Sequence, residues 1–244
     1  MLLALRVVLM LVYFLVVAAM GLVIGLARPF NPDNSRVIAR LFAWGGQRIL
    51  GMRVQVEGLE QLQGLGPCVY VANHQDNLDL FVLGGMLPAR TVSVGKKSLR
   101  WIPVFGLMYW LAGNILIDRS NRKRALGAMS EVVTALRERN TSIWIFPEGT
   151  RNRGRGLLPF KKGAFHTAVQ AGVPIVPVCV TPYVNRADFR RLHSGDVVVR
   201  VLPPVPTSGK SLDDVPALME QCFEQIKTGI DALEQMPVAE PQIA

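Results

Sequence analysis

The stretch CVYVANHQDNLDLFVLGGM, residues 68–86, changes its hydrophobic period halfway along. Cys68 to Ala72 is a short, unbroken apolar run, the pattern of a strand covered on both faces. Leu78 to Met86 places apolar residues at helical intervals instead. Between them stand five polar residues, Asn73-His74-Gln75-Asp76-Asn77. A strand that ends in a polar loop and leads into a helix is the repeating unit of an α/β sheet, and such folds carry their chemistry on those loops.

Outward from this stretch the same grammar recurs. Short β-rich runs are predicted at Val54–Val56, Val92–Gly95, Ile115–Ile117, Ile143–Phe146, Ile175–Val180 and Val197–Val201. Helices are predicted near Arg122–Glu138, Gly163–Ala171 and Asp213–Glu234. The alternation predicts an α/β fold with a mostly parallel central sheet flanked by helices. The run PIVPVCV, Pro174–Val180, suits a central strand, provided that Pro177 sits at a bulge or an edge. A chain of 244 residues has room for one sizeable domain and an appendage. Composition divides it into an N-terminal membrane-anchoring helical segment (1–52), the α/β domain (53–236) and a Pro-rich flexible tail (237–244).

The anchor rests on Val7 to Leu26, twenty residues without a charge, long enough at ~1.5 Å per residue to cross a ~30 Å hydrocarbon layer. The run is too long for the core of a cleaved leader, and Arg28-Pro29 follows it where small residues would be cut. Ile38–Met52 mixes Leu41, Phe42, Trp44, Ile49 and Leu50 with Arg40 and Arg48, as an interfacial helix does, although Gly45-Gly46 works against a helix there. Arg28, Arg36, Arg40 and Arg48 follow the apolar run and only Arg6 precedes it, which places the body on the cytoplasmic side. An anchor lying within one leaflet fits the same residues.

The formal charge of +9 comes without zinc-finger spacing, basic zipper or RNP-type aromatics, so nucleic acid is not the expected partner. Anionic lipid headgroups, a phosphate-bearing substrate or an acidic carrier protein are. Cys68, Cys179 and Cys222 are far apart in apolar surroundings and read as buried thiols of a reducing compartment.

Three constellations carry chemistry. In the first, Asp76 or Asn77 is expected to cap the helix, which leaves His74 on the loop and Asp79 in the first turn, its carboxylate folding back onto the imidazole. Such a paired imidazole takes a proton from an alcohol at neutral pH. The plainer alternative is an Asp-rich helix cap beside a bystander His. The second is Phe146-Pro147-Glu148-Gly149-Thr150-Arg151, a strand end whose turn amides can line an anion pocket. Arg151 offers phosphate a planar fork, and Glu148 can orient that Arg or meet substrate hydroxyls. The loop that follows also holds Arg153, Arg155, Lys161 and Lys162, of which Arg153 and Arg155 read as solvated. The third runs from Gly113 to Arg119 and is preceded by Lys96-Lys97. Arg119 either joins Arg151 around one phosphate or pairs with Asp118 or Glu131.

Other chemistries lack their residues. No Gly-x-Ser-x-Gly supplies a nucleophile for an acyl-enzyme, and His74, His166 and His193 show no His-Glu-x-x-His spacing, so no metal is expected. His166 reads as structural.

Together and in this order, the blocks resemble the lysophosphatidate acyltransferase branch of the glycerolipid acyltransferases, in particular the bacterial 1-acyl-glycerol-3-phosphate acyltransferases. Asn73-His74-x₄-Asp79 resembles the first block, Gly113–Arg119 the second, Phe146–Arg151 the third and Val173–Val178 the fourth. A six-residue string such as FPEGTR is expected by chance at a rate on the order of 10⁻⁵ in this length. The resemblance spans residues 50–205 and takes in the anchor and Gly95–Leu99. It implies that His74, oriented by Asp79, deprotonates the sn-2 hydroxyl of lysophosphatidic acid for direct attack on a thioester, without a covalent acyl-enzyme. It further implies acyl-CoA or acyl carrier protein as donor, no cofactor, and binding of the glycerol phosphate by Arg119, Glu148, Gly149 and Arg151 with Lys96 or Lys97. The fourth block would lie along the acyl chain, and the protein would sit in a bacterial inner membrane. Glycerol-3-phosphate, a lyso-ornithine lipid or another lysophospholipid is the alternative acceptor, and a noncatalytic lipid-binding protein the alternative outside enzymes.

Overall fold

The computed structural model describes residues 1–118 and 122–235. In chain order they form α1 (Leu2–Ala27), α2 (Asp33–Leu50), β1 (Met52–Glu57), β2 (Val69–Ala72), α3 (Asp79–Leu83), β3 (Thr91–Lys96), α4 (Phe105–Leu111), β4 (Ile115–Ile117), α5 (Arg122–Glu138), β5 (Ser142–Ile145), α6 (Gly163–Ala171), β6 (Ile175–Val180), β7 (Gly195–Val201) and α7 (Val215–Gln235). Single 3₁₀ turns stand at Leu59–Leu62, Gly84–Met86, Lys97–Trp101 and Leu212–Asp214.

The strands form one sheet in the order β1-β7-β6-β2-β5-β3-β4. From β6 to β4 every pair is parallel, whereas β7 is antiparallel to β6 and β1 follows β7. Strand alternation sorts the core into two layers. Tyr70 and Ala72 of β2 face a cluster shared with α1, α2 and α4, while Val69 and Val71 face one shared with α5, α6 and α7. The predicted bulge is present beside Pro177. Val178 pairs with Val201 but Ile175 bridges Val205, so residues 176–177 oppose 202–204 and the register slips by one. Within Val173–Val178, Val173 and Pro174 are half-buried and the residues from Ile175 onward are core. Ile175, Val176 and Val178 are fully buried between the two layers.

Lys97–Trp101 and α4 were not legible as helices. Pro103 and Gly106 interrupt the pattern, and seven residues of α4 are too few to display a period.

α1 and α2 belong to the same core as the sheet. Phe14 of α1 packs against Phe42 of α2 and Phe105 of α4, with both pairs of ring centroids 5.3 Å apart. The glycine pair within α2 has a packing reason, since a Cβ at Gly45 would strike the Tyr13 ring and one at Gly46 the Phe81 ring, each at 2.2 Å. Close helix contact outweighs the helix propensity that two glycines cost. Near its start, α1 is held by Arg6. The buried guanidinium donates to the carbonyls of Phe189, Arg191 and Leu192 at 2.6–2.9 Å and to Ser194 Oγ at 2.7 Å. Just past its end, the Phe30 amide donates to Leu111 O of α4 at 2.8 Å. Both ends of α1 thus rest on the body, and its outer face, from Leu3 through Val12 to Leu26, is exposed. A helix that left the body to cross a bilayer would lack one of these two attachments. Arg6, counted from sequence as a flanking charge, is instead an internal tie.

Candidate active site

Five parallel strands end on one edge of the sheet, about 4.8 Å apart. Their carboxyl ends deliver His74 and Asp79 after β2, Glu148 to Arg151 after β5, Tyr183 after β6, Lys96 and Lys97 after β3, and Asp118 after β4. Sequence-remote segments converge there because the strands share a direction.

His74 Nδ1 lies 2.6 Å from Asp79 Oδ2. The same oxygen accepts the amides of Gln75 (2.8 Å) and Asp76 (3.3 Å), and Oδ1 accepts the Tyr183 hydroxyl at 2.6 Å. A carboxylate surrounded by donors accepts from Nδ1 as well, which puts the imidazole proton on Nδ1 and leaves Nε2 to take another. Burial, and then the adjacent Asp79 carboxylate, push the Tyr183 phenol far above its usual range, so it stays a donor. The imidazole stacks on Phe146, with centroids 4.0 Å apart and planes 12° apart. The orienting carboxylate is where the sequence places it, at the first residue of α3. The capping is not, because the N-cap is Leu78 without a side-chain bond, and the Asp76 carboxylate accepts the Leu78 amide, at 3.4 Å, rather than an amide within the helix.

Two neighbours tie this loop down. Asn73 exchanges hydrogen bonds with the backbone of Val180, donating to its carbonyl (3.0 Å) and accepting its amide (2.8 Å). Gln75 donates to Thr181 O (2.9 Å) and accepts from the Tyr183 amide (2.9 Å). On the other side the amides of Asn152 and Arg153 donate to the carbonyls of His74 and Gln75, at 2.8 and 3.0 Å, so the Arg151 turn lies along the His74 loop.

Glu148 is 2% exposed. Its oxygens accept the amides of His74 (2.6 Å) and Leu158 (3.1 Å), which makes it a brace between loops, working from beneath the site rather than on its rim. Burial pushes its carboxyl up to about 7. Gly149 adopts φ +69°, open to glycine without strain, and a Cβ there would meet the Lys161 ammonium at 2.9 Å. Arg151 Nε is buried and lacks a hydrogen-bond partner among the described residues, a donor set suited to an anion. Lys97 Nζ pairs with Asp118 Oδ2 at 3.0 Å, and Lys96 is exposed at the end of β3. Arg119 lies outside the described residues. A cavity of about 610 Å³ opens beside Lys97 and Asp118, walled by Leu107, Trp110 and Leu116.

Sequence reasoning missed Tyr183, because a lone Tyr on a loop carries no spacing signal. Lys161, exposed on the basic loop, lies against Gly149. Asn73 and Gln75 flank the base in sequence and signal their role only by that position. Among the described residues no group of His, Cys, Asp and Glu is arranged to hold a metal ion.

The geometry has relatives. The family model described as Acyltransferase matches residues 53–181. Over 239 residues the chain is 43% identical to the 1-acyl-sn-glycerol-3-phosphate acyltransferase of Escherichia coli K12, covering 98% of this chain and 97% of that protein. Over 221 residues it is 43% identical to the human 1-acyl-sn-glycerol-3-phosphate acyltransferase alpha, covering 88% and 77%. The crystal structure of the 1-acyl-sn-glycerophosphate (LPA) acyltransferase PlsC from Thermotoga maritima superposes with a TM-score of 0.74 at 25% identity, covering 96% of this chain and 99% of that one. With the paired His74 and Asp79 set on the same parallel sheet, the chain belongs to the acyltransferase family, in the branch of the 1-acyl-sn-glycerol-3-phosphate acyltransferases.

Proposed function

We propose that the protein transfers a fatty acyl group from acyl-CoA or acyl carrier protein to the sn-2 hydroxyl of 1-acyl-sn-glycerol-3-phosphate, giving phosphatidic acid. The observation that supports this is the stitching of the Arg151 turn onto the loop that holds the His74–Asp79 pair. His74 Nε2 takes the hydroxyl proton as the oxygen attacks the thioester carbonyl. The tetrahedral intermediate collapses, the C–S bond breaks, and the leaving sulfur receives the proton from His74. The acceptor oxygen is itself the nucleophile, so no enzymic Ser or Cys is acylated. Arg151 and Arg119 hold the phosphate, with Lys96, Lys97, Gly149 and the Glu148 brace completing the headgroup site. α1 lies within one leaflet, outer face in the acyl chains, and carries the sheet edge against the cytoplasmic surface of a bacterial inner membrane, where thioester donors are found.

The test offers the purified enzyme 1-acyl-glycerol-3-phosphate, glycerol-3-phosphate, a lyso-ornithine lipid, lysophosphatidylethanolamine and monoacylglycerol, with each thioester. Phosphatidic acid should form fastest, and monoacylglycerol should be used poorly for want of phosphate. Faster acylation of any other acceptor would overturn the assignment.

A further inference from the structure

We propose that residues 101–110, the turn before α4 and its outer face, form a second membrane-inserting element beside α1. The partner is the interfacial zone of a phospholipid bilayer. The proposal rests on α1 lying in that bilayer and extends the footprint into the catalytic domain.

Beyond α2, the described residues expose eight large apolar side chains: Leu59, Trp101, Ile102, Val104, Leu107, Trp110, Leu192 and Leu212. Five of these fall within ten residues, with Trp101 74% exposed. Scattered apolar side chains are ordinary on a soluble surface, but a concentrated patch is not. The backbone holds the patch out. Val104 adopts φ +64° and ψ −55°, and the Phe105 amide donates to Pro103 O at 2.6 Å, which together describe a strained γ-turn at a β-branched residue. In α4 itself Phe105, Met108 and Leu111 turn inward while Leu107 and Trp110 turn out.

The patch is continuous with α1. Phe105 stacks on Phe14, a Cβ at Gly21 would meet Met108 Cγ at 2.8 Å, and Phe30 at the end of α1 meets Trp110 edge to face at 4.8 Å. It also has the chemistry of a headgroup zone. The Arg100 guanidinium lies 4.6 Å over the Trp101 ring, as Arg48 lies 4.5 Å over Trp44 on α2, and such cation and indole pairs suit a boundary that is apolar on one side and anionic on the other.

The test uses the full chain in liposomes of phosphatidylethanolamine and phosphatidylglycerol, with one nitroxide label at a time on Trp101→Cys, Leu107→Cys, Val12→Cys or Leu212→Cys. The native thiols are fully buried and stay unlabelled. Collision with oxygen, which enters the bilayer, is compared with collision with a water-soluble nickel chelate. Val12 reports α1, and Leu212, on the side of the sheet covered by α7, is the aqueous reference. Labels at Trp101 and Leu107 should match Val12, with oxygen collisions dominant, the reverse of Leu212. If either matches Leu212 while Val12 is immersed, the second element does not exist and α1 alone is the anchor. If Val12 also matches Leu212, the reading of α1 in the bilayer fails, and this proposal with it.

Discussion

Arg151 and Glu148 stand three residues apart and have opposite surroundings. Arg151 keeps a buried Nε without a partner among the described residues, so it contributes most when an anion arrives. A charge-assisted bond to phosphate is worth about 1.5–3 kcal/mol, and the fork is its upper end. Arg151→Lys keeps the charge and loses the fork. It should raise the acceptor KM roughly tenfold or more, leave the thioester KM nearly unchanged, and cost little with monoacylglycerol. A raised thioester KM with an unchanged acceptor KM would place Arg151 at the donor instead. Glu148 is satisfied without substrate and governs pH dependence. Its carboxyl is held at about 7 in the fold against 4.5 ordinarily, so between these values the folded state binds the extra proton. Its contribution to stability is therefore complete below pH 4.5 and lost as pH rises through about 7. Glu148→Gln should flatten that part of the Tm-against-pH curve, and an unchanged curve would show that another group sets it. His74 and Asp79 were legible because only four residues separate them across a strand-to-helix turn. Tyr183 was not, since its partner Asp79 lies more than a hundred positions away.

At the scale of elements, all seven strands were legible: β2 and β6, buried throughout, read as apolar runs between breakers, and β7 as an alternating one. The direction of β7 and β1 was not. Pairing sense depends on how the chain returns after β6, and no residue pattern states it. The long apolar helix α1 was legible from composition, while the attachment of its start was hidden in four acceptors contributed from residues 189–194. Arg6 carries a testable share of the architecture. Arg6→Met keeps length and apolar bulk but removes the charged donor those acceptors share, at a cost of about 1.5–3 kcal/mol. The expected result is faster hydrogen exchange in residues 189–194 and in the first turns of α1, with the β2 and β5 strands still protected. Unchanged exchange there would mean that apolar packing alone holds the helix.

Across the whole molecule, α1, α2 and the sheet share one core, and the candidate site lies at the carboxyl edge of that sheet. The division at residue 52, clear in composition, is not a packing boundary. The central claim is direct acyl transfer by a single His base to a lipid hydroxyl. The most direct measurement follows thiol release and phosphatidic acid formation together in detergent micelles, with and without 1-acyl-glycerol-3-phosphate, for the wild type and His74→Ala. The wild type should release one thiol per phosphatidic acid formed, and almost none without acceptor. His74→Ala should fold and bind micelles normally and lose both products by the ~10²–10⁴-fold that a positioned base supplies. Acceptor-independent thiol release at the wild-type rate, or more than about a tenth of wild-type turnover in His74→Ala, would contradict the account.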